Sequence, residues 1–121
     1  MYPGQLEAWI ATLVVEGIVA AILALMVRMH PGRSTAAAVG GSLMSHPIVW
    51  WLYFQLRPEL GYWSIFAIIE SFAVLVEAPF YRLAGARWGK ALGMSLIVNG
   101  ASMAWGLRDY LRHLLFGAWP G

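Results

Sequence analysis

The third apolar stretch of the chain, Gly61 to Arg82, constrains the fold most, because it combines the length of a membrane span with two acidic side chains. Its sequence is GYWSIFAIIESFAVLVEAPFYR, and about 20 apolar residues are enough to cross a bilayer as a helix. Glu70 and Glu77 are separated by nearly two helical turns, so they share one face about 10 Å apart along the axis. Tyr81 extends that face by one turn. An acid at the centre of a membrane helix costs about 3 kcal/mol, so the stretch predicts a polar site inside a membrane.

The composition agrees with a membrane protein and excludes several classes of function. Hydrophobic residues make up 60% of the 121 residues and charged residues only 12%, a balance that is unusual for a soluble domain. The formal net charge of +2 is too small and too dispersed for a nucleic-acid partner. The absence of Cys excludes disulfides, thiolate metal sites and thiol catalysis.

Four apolar stretches predict an all-α integral membrane bundle that covers residues 1–121 as a single transmembrane domain. The predicted spans are about residues 6–28, 36–54, 61–82 and 86–107, followed by a tail at 108–121. His30-Pro31-Gly32 is expected to end the first helix, and Ser34 or Thr35 is the expected N-cap of the second. The amphipathic tail is expected to lie at the membrane interface or to continue the fourth helix. Because the connections are short, the four helices must run antiparallel to their neighbours in sequence.

The basic residues predict the orientation of the bundle. We call the face that holds both termini side one and the opposite face side two. The basic residues of side two, where no acid falls, are Arg28, Arg33, Arg82, Arg87 and Lys90. Those of side one are Arg57, Arg108 and Arg112, which are offset by Glu7, Glu59 and Asp109. The positive-inside rule then places side two in the cytoplasm and both termini outside.

The tryptophans are distributed unevenly between the two sides. Six of the seven fall near side one, namely Trp9, Trp50, Trp51, Trp63, Trp105 and Trp119. Only Trp88 falls near side two. We interpret this distribution as an interfacial aromatic belt, with a ligand or partner surface on the outer side as the alternative.

Each predicted span places one strongly polar side chain at about the same depth. These side chains are Glu16, His46, Glu70 and Asn99. Because the helices alternate in direction, we expect the four to meet near the midplane and to form one proton or cation site. The expected access path from side two consists of Glu77, Tyr81, Ser42 and Ser95. Small residues of the second and fourth spans, including Gly40, Gly41 and Ser45, are expected to let the helices approach closely.

A structural interpretation of the same residues remains open. A single His or Asn inside a membrane commonly holds helices together and contributes about 1 kcal/mol. A protonated Glu paired with His46 would serve the same purpose. Three acids inside the membrane without a nearby base, however, cost more free energy than helix–helix contacts of this kind contribute, which favours a functional site.

Three stretches carry a resemblance to known proteins. SHPIVWW (Ser45–Trp51), IESFAVLVEAPFYR (Ile69–Arg82) and SLIVNGASMAWGL (Ser95–Leu107), together with Glu16, resemble a recurrent type of small four-span bacterial membrane protein of unassigned function. This resemblance implies the architecture and a location in a bacterial inner membrane, but no particular activity. The size of the chain and the Glu in its first helix are also similar to small multidrug resistance transporters. The two further acids and His46 have no counterpart in that second pattern.

Three classes of function follow from these residues. The first is ion handling at Glu16, His46, Glu70 and Asn99, whose oxygen and imidazole ligands suit Mn, Fe or Zn better than Cu(I). The second is a non-catalytic subunit of a larger membrane complex, in which His46 ligates haem or a chlorophyll-type pigment. An intramembrane metalloenzyme ranks last, because the sequence contains no HExxH motif, Ser–His pairing or nucleotide loop. The expected partners are the lipid bilayer and either further copies of the chain or a larger membrane complex.

Overall fold

The computed structural model describes residues 5–116, which form four α-helices and no strand. The helices are α1 (Gln5–Met26), α2 (Pro31–Leu56), α3 (Tyr62–Leu83) and α4 (Trp88–Phe116). Each helix packs against the next, and α1 also packs against α4, so the bundle is closed. The all-α, four-helix architecture predicted from the sequence is therefore confirmed.

The connection between α1 and α2 is shorter than the sequence predicts. α2 begins at Pro31 rather than near residue 36. Pro is tolerated at the first position of a helix, because the backbone N–H that it lacks would have no hydrogen-bond partner there. The N-cap is His30 and not Ser34 or Thr35. Its backbone is extended, and its Nδ1 accepts a hydrogen bond of 3.2 Å from the backbone N–H of Arg33. The His-Pro-Gly sequence thus starts α2 as well as ending α1.

The fourth helix is longer than its predicted span. α4 runs without interruption to Phe116, so residues 108–116 continue the helix and do not form a separate interfacial segment. The end of the predicted tail and Trp119 lie outside the described residues. Between α3 and α4 the chain turns at Gly85, whose φ of 111° is accessible to glycine and rarely to other residues.

The bundle buries small and polar side chains and exposes large apolar ones. Its buried hydrophobic residues are mostly Ala, joined by Ile65, Tyr81, Met94 and Val98. Its buried polar residues are Glu16, Ser34, Ser42, Ser45, Glu77, Ser95 and Asn99. The outer face of α1 is a stripe with exposed fractions between 49% and 56%, formed by Leu6, Ile10, Val14, Ile18 and Ile22. A water-soluble helical bundle shows the reverse distribution.

Two of the described helices are long and apolar enough to cross a membrane. They are Leu6–Met26 in α1 and Trp63–Leu83 in α3, with mean hydropathies of 2.3 and 1.6. α2 and α4 have 26 and 29 residues, and they are less apolar because Ala, Gly and Ser occupy many of their positions. By length and apolarity alone, the described helices support two of the four predicted spans.

The side-one tryptophans of the described residues fall into two groups. Trp51, Trp63 and Trp105 project outward with exposed fractions of 60%, 63% and 43%, as side chains of an interfacial belt do. Trp9 and Trp50 are partly buried and stack within the bundle. The belt interpretation therefore fits only part of the side-one tryptophans.

The two halves of the bundle are packed differently. The core cluster lies toward side two and consists of Ala20, Ala37, Ala38, Tyr81, Ala86, Ala91, Met94 and Val98. Small side chains let the helices approach closely there. Toward side one, larger side chains hold the helices around a cavity, which contains the candidate site.

Candidate functional site

A central cavity of about 500 Å³ is lined by residues from all four helices. It extends from Glu16 and Glu77 at its deep end to Tyr53, Phe66 and Leu107 near side one. Its volume is in the range of small-molecule sites, about 300–1,000 Å³. The structure brings all four residues of the predicted ion site to its walls, namely Glu16, His46, Glu70 and Asn99.

Glu16 joins three helices at the deep end. Its side chain is 2% exposed. The hydroxyl of Ser42 in α2 donates to Oε2 of Glu16, and the hydroxyl of Ser102 in α4 lies 3.0 Å from Oε1. Both carboxyl oxygens therefore have partners, as a buried carboxyl group requires. Ser42, expected on an access path, lies at the site itself.

Glu77 lies beside Glu16 and is only half satisfied. It is 1% exposed, and Ser45 in α2 donates to its Oε2 over 3.0 Å. Its Oε1 has no hydrogen bond of good geometry among the described residues, although the side chains of Asn99 and Glu16 lie close to the Glu77 carboxyl group. The carboxyl groups of Glu16 and Glu77 are close enough to interact, and we call them the carboxyl pair. The sequence placed Glu77 on the access path, whereas in the structure it is as deeply buried as Glu16.

The approach of Glu77 to α2 depends on a glycine. A Cβ atom added to Gly41 would lie 2.8 Å from Cγ and 3.1 Å from Cβ of Glu77. Any larger residue at this position would push α3 away. Gly41 therefore sets the distance at which Ser45 reaches Glu77.

The serine hydroxyls can serve both protonation states of the carboxyl pair. A hydroxyl donates one hydrogen and also accepts, so it can donate to a carboxylate or accept from a carboxylic acid. The Ser102 hydroxyl illustrates this, because it lies 3.0 Å from Glu16 Oε1 and 3.0 Å from the backbone oxygen of Asn99. When it donates to the backbone, a protonated Glu16 can donate to it in turn. Glu16 can therefore gain or lose a proton while its Oε1 and the Ser102 hydroxyl keep their hydrogen bond.

Glu70 occupies a different environment from the carboxyl pair. It is partly buried in the wall of the cavity, closer to side one than Glu77. It accepts no hydrogen bond from the described residues. Its carboxyl group is therefore available to a ligand, but it is less isolated from the surface of the bundle than the pair is.

Asn99 and Ser95 make contacts within and between helices. The Asn99 side-chain amide donates to the Ser95 backbone oxygen over 2.8 Å, within α4. The Ser95 hydroxyl donates to the backbone oxygen of Val74 over 2.8 Å, which ties α4 to α3. Ser95, predicted on the access path, is thus a helix-to-helix link outside the cavity lining, while Asn99 lines the cavity.

His46 belongs to an aromatic stack. Its ring lies parallel to that of Trp9, with centroids 5.6 Å apart, and its Nε2 accepts a hydrogen bond of 2.8 Å from the indole N–H of Trp50. An accepting Nε2 is neither protonated nor free for a metal, so the proton of a neutral ring must be on Nδ1. In this arrangement Nε2 cannot be an axial ligand of a haem or pigment. The spacing of four residues between His46 and Trp50 is the sequence signal for this contact.

Tyr81 lies on the side-two flank of the carboxyl pair. It is completely buried in the core cluster, and its hydroxyl has no hydrogen-bond partner in the described part of the chain. The central cavity does not extend to it. The central cavity thus lies on the opposite flank, and the access path from side two stays a prediction.

The charges around the cavity favour a cation but not a chelated metal. Glu16, Glu70 and Glu77 line it, and no Lys or Arg is among the described lining residues. Within residues 5–116, no group of three or more His, Asp or Glu side chains is close enough to hold a metal ion. Glu16, His46, Glu70 and Asn99 thus surround a space and do not converge on a point.

Comparisons of the chain with protein-family models, with curated proteins and with solved structures find no match. The chemistry of the site is therefore inferred from its own geometry. Ser45, expected only as a small packing residue, is a hydrogen-bond partner of the carboxyl pair. The spacing of three residues between Ser42 and Ser45 was the available signal, because it places both on one face of α2.

Proposed function

We propose that the protein spans a bacterial inner membrane four times and exchanges a cation for protons at the carboxyl pair. The observation that carries this proposal is the unpartnered Oε1 of Glu77, 1% exposed beside Glu16, at the deep end of the central cavity. A buried carboxyl oxygen without a partner is costly. A bound cation or a proton would satisfy it.

The surface of the bundle supports four spans, including the two helices of lower hydropathy. Large apolar side chains face outward on every helix, for example Leu43 and Met44 on α2 and Leu96 and Ile97 on α4, all between 48% and 62% exposed. Residues 34–56 and 91–107 contain no Asp, Glu, Lys or Arg. At about 1.5 Å per residue, α2 and α4 both exceed the 30 Å thickness of the hydrocarbon core. Gly and Ser lower their mean hydropathy, and the serines at 34, 42, 45 and 95 are buried inside the bundle and do not face outward.

The charges of the pair support the proposed exchange of a cation for protons. Two neighbouring carboxylates without a basic partner repel each other strongly in a medium of low dielectric constant. We therefore propose that the ligand-free pair carries a proton, which an arriving cation displaces. Ser42, Ser45 and Ser102 can satisfy either state by turning their hydroxyl hydrogens. Tyr81, whose unpartnered hydroxyl lies one turn from Glu77 toward side two, completes the proposed proton path.

The topology can be tested with cysteine labelling, because the natural chain contains no Cys. Single cysteines would replace Arg33 and Gly89 on side two and Glu59 and Arg112 on side one, all of which are exposed. In intact cells, an impermeant thiol reagent is expected to label only the two side-one positions. Permeabilised cells, in which all four should react, are the control. Equal labelling at 33 and 59 would show that α2 does not cross, and equal labelling at 89 and 112 would show the same for α4.

Cation–proton exchange can be tested in vesicles with tetramethylammonium, whose permanent charge prevents it from crossing the lipid as a neutral base. Vesicles that contain the protein and have an acidic interior are expected to accumulate this cation, since protons leave in exchange. A protonophore should abolish the accumulation, and protein-free vesicles should show none. Tyr81→Phe is expected to retain binding but to lose accumulation. Uptake that does not respond to the pH gradient would refute the exchange mechanism.

A further inference from the structure

Five exposed basic residues give side two of the bundle a positive surface. They are Arg28 after α1, Arg33 in the first turn of α2, Arg82 in the last turn of α3, and Arg87 and Lys90 at the start of α4. Residues 17–58 and 78–108 contain no Asp or Glu, so no carboxylate of these segments offsets the five charges. Such a surface attracts anions.

Two of these residues belong to different helices and are brought to one place. The Lys90 ammonium group donates to the backbone oxygen of Val27 over 3.3 Å, and Arg28 is the next residue of the chain. The end of α1 and the start of α4 therefore present two basic side chains together. We call Arg28 and Lys90 the basic pair.

The backbone of Arg28 has a conformation that disfavours any side chain. Its φ is 58°, and the N–H of Met29 donates to the backbone oxygen of Ala24 over 2.8 Å, which closes the end of α1. Glycine usually occupies this position of a helix terminus, because a Cβ atom is strained there. The positive-inside rule requires basic residues in the loop but not at this position. The strain thus points to a binding role for the arginine.

We propose that the basic pair binds the phosphate group of an anionic phospholipid at side two. Guanidinium and ammonium groups both bind phosphate oxygens, and a guanidinium group can do so with two parallel hydrogen bonds. A zwitterionic phospholipid carries its own ammonium group, which the surrounding positive charges repel. The proposal uses the four-span topology, which cysteine labelling tests separately, but it does not depend on the exchange of a cation for protons.

The surroundings of the basic pair favour a lipid over a soluble phosphate compound. Leu25 and Met26, in the turn that precedes Arg28, are 68% and 73% exposed, and they offer an apolar surface to an acyl chain. Trp88 is 55% exposed at the start of α4, and exposed Trp side chains concentrate at the headgroup level of membranes. Basic and apolar contacts thus lie next to each other, as the two parts of a phospholipid require.

Two substitutions remove the charges of the basic pair and preserve the fold around it. Arg28→Gly introduces the residue that adopts this φ most freely, so the variant should melt at the same or a higher temperature than the natural protein in phosphatidylcholine nanodiscs. Lys90→Gln keeps an N–H donor for the backbone oxygen of Val27. Arg33→Gln is the matched control, because it removes one exposed charge from the same side of the bundle.

Native mass spectrometry of the full chain measures the Kd of the first bound lipid, with phosphatidylglycerol and phosphatidylcholine of the same acyl chains as probes. Phosphatidylglycerol is expected to bind the natural protein about tenfold more tightly than phosphatidylcholine. Arg28→Gly and Lys90→Gln should each weaken phosphatidylglycerol binding by about fivefold, since one Lys or Arg near the membrane surface contributes roughly this factor. Arg33→Gln should weaken it by about twofold or less.

Three results would overturn the proposal. Equal weakening by all three variants would show a diffuse attraction to the whole surface and no site. Displacement of phosphatidylglycerol by an equal concentration of glycerol phosphate would identify the ligand as a soluble phosphate compound. A lower melting temperature for Arg28→Gly would show that this arginine serves the fold. Tetramethylammonium binding should be unchanged in all three variants, so its failure in the natural protein would refute the proposed function and not the lipid site.

Discussion

Replacing Glu77 with Gln is expected to weaken tetramethylammonium binding by about 100-fold while the protein remains folded in the membrane. A cation in a buried site that loses its counter-charge loses about 3 kcal/mol or more, which corresponds to about two orders of magnitude in Kd. Folding should be little affected, because the amide oxygen can still accept from Ser45. The new amide N–H can donate to Glu16, which fills the place of the unpartnered Oε1.

The measurement pairs a Kd with a melting temperature on the same preparation. Glu59→Gln is the matched control, since it removes an exposed carboxyl group and should change neither quantity. Glu70→Gln should weaken the binding of tetramethylammonium less than Glu77→Gln, because Glu70 is only partly buried. Normal binding by Glu77→Gln would refute the proposed site. A variant that unfolds would favour the structural interpretation of the carboxyl pair.

The number of helices and most of their limits were predictable because they depend on local signals. Apolar runs of about 20 residues, interrupted by His30-Pro31-Gly32 and by Arg57-Pro58-Glu59, leave little freedom for another arrangement. The start of α2 was not predictable, because His30 takes the capping role that Ser, Thr, Asp or Asn usually has. The convergence of polar groups followed from depth alone, since antiparallel helices bring side chains of equal depth together.

The relative importance of Glu70 and Glu77 could not be predicted from spacing, because both lie on one face of α3. Packing distinguishes them. At the level of Glu77, α2 presents Gly41, and its small side chains let the two helices approach. At the level of Glu70, the cavity is lined instead by larger side chains such as Trp50, which keep the helices apart. Side-chain volume on the facing helix thus decides which acid is buried in the pair.

The second large effect is expected from one methyl group at the contact between α2 and α3. Gly41→Ala should lower the free energy of unfolding by about 1–3 kcal/mol, as overpacking of a well-packed interior does. The added Cβ would lie 2.8 Å from Cγ, 3.1 Å from Cβ and 3.5 Å from Cα of Glu77. A change of the Glu77 χ1 rotamer would move Cγ but would take the carboxyl group away from Ser45. It would leave Cβ at 3.1 Å, so α3 would still have to shift by a few tenths of an ångström.

The neighbouring residue provides a matched control. A Cβ at Gly40 would lie 3.4 Å from the Phe80 ring, which a small shift of the ring can accommodate. Because Ala is favoured over Gly inside a helix by about 0.5–1 kcal/mol, Gly40→Ala should be neutral or stabilising. Thermal unfolding in nanodiscs measures both variants, and Gly41→Ala should also bind tetramethylammonium more weakly, since Glu77 moves with α3. Equal melting temperatures for the two variants would show that Gly41 does not hold Glu77 in place. Another contact would then have to position the carboxyl pair.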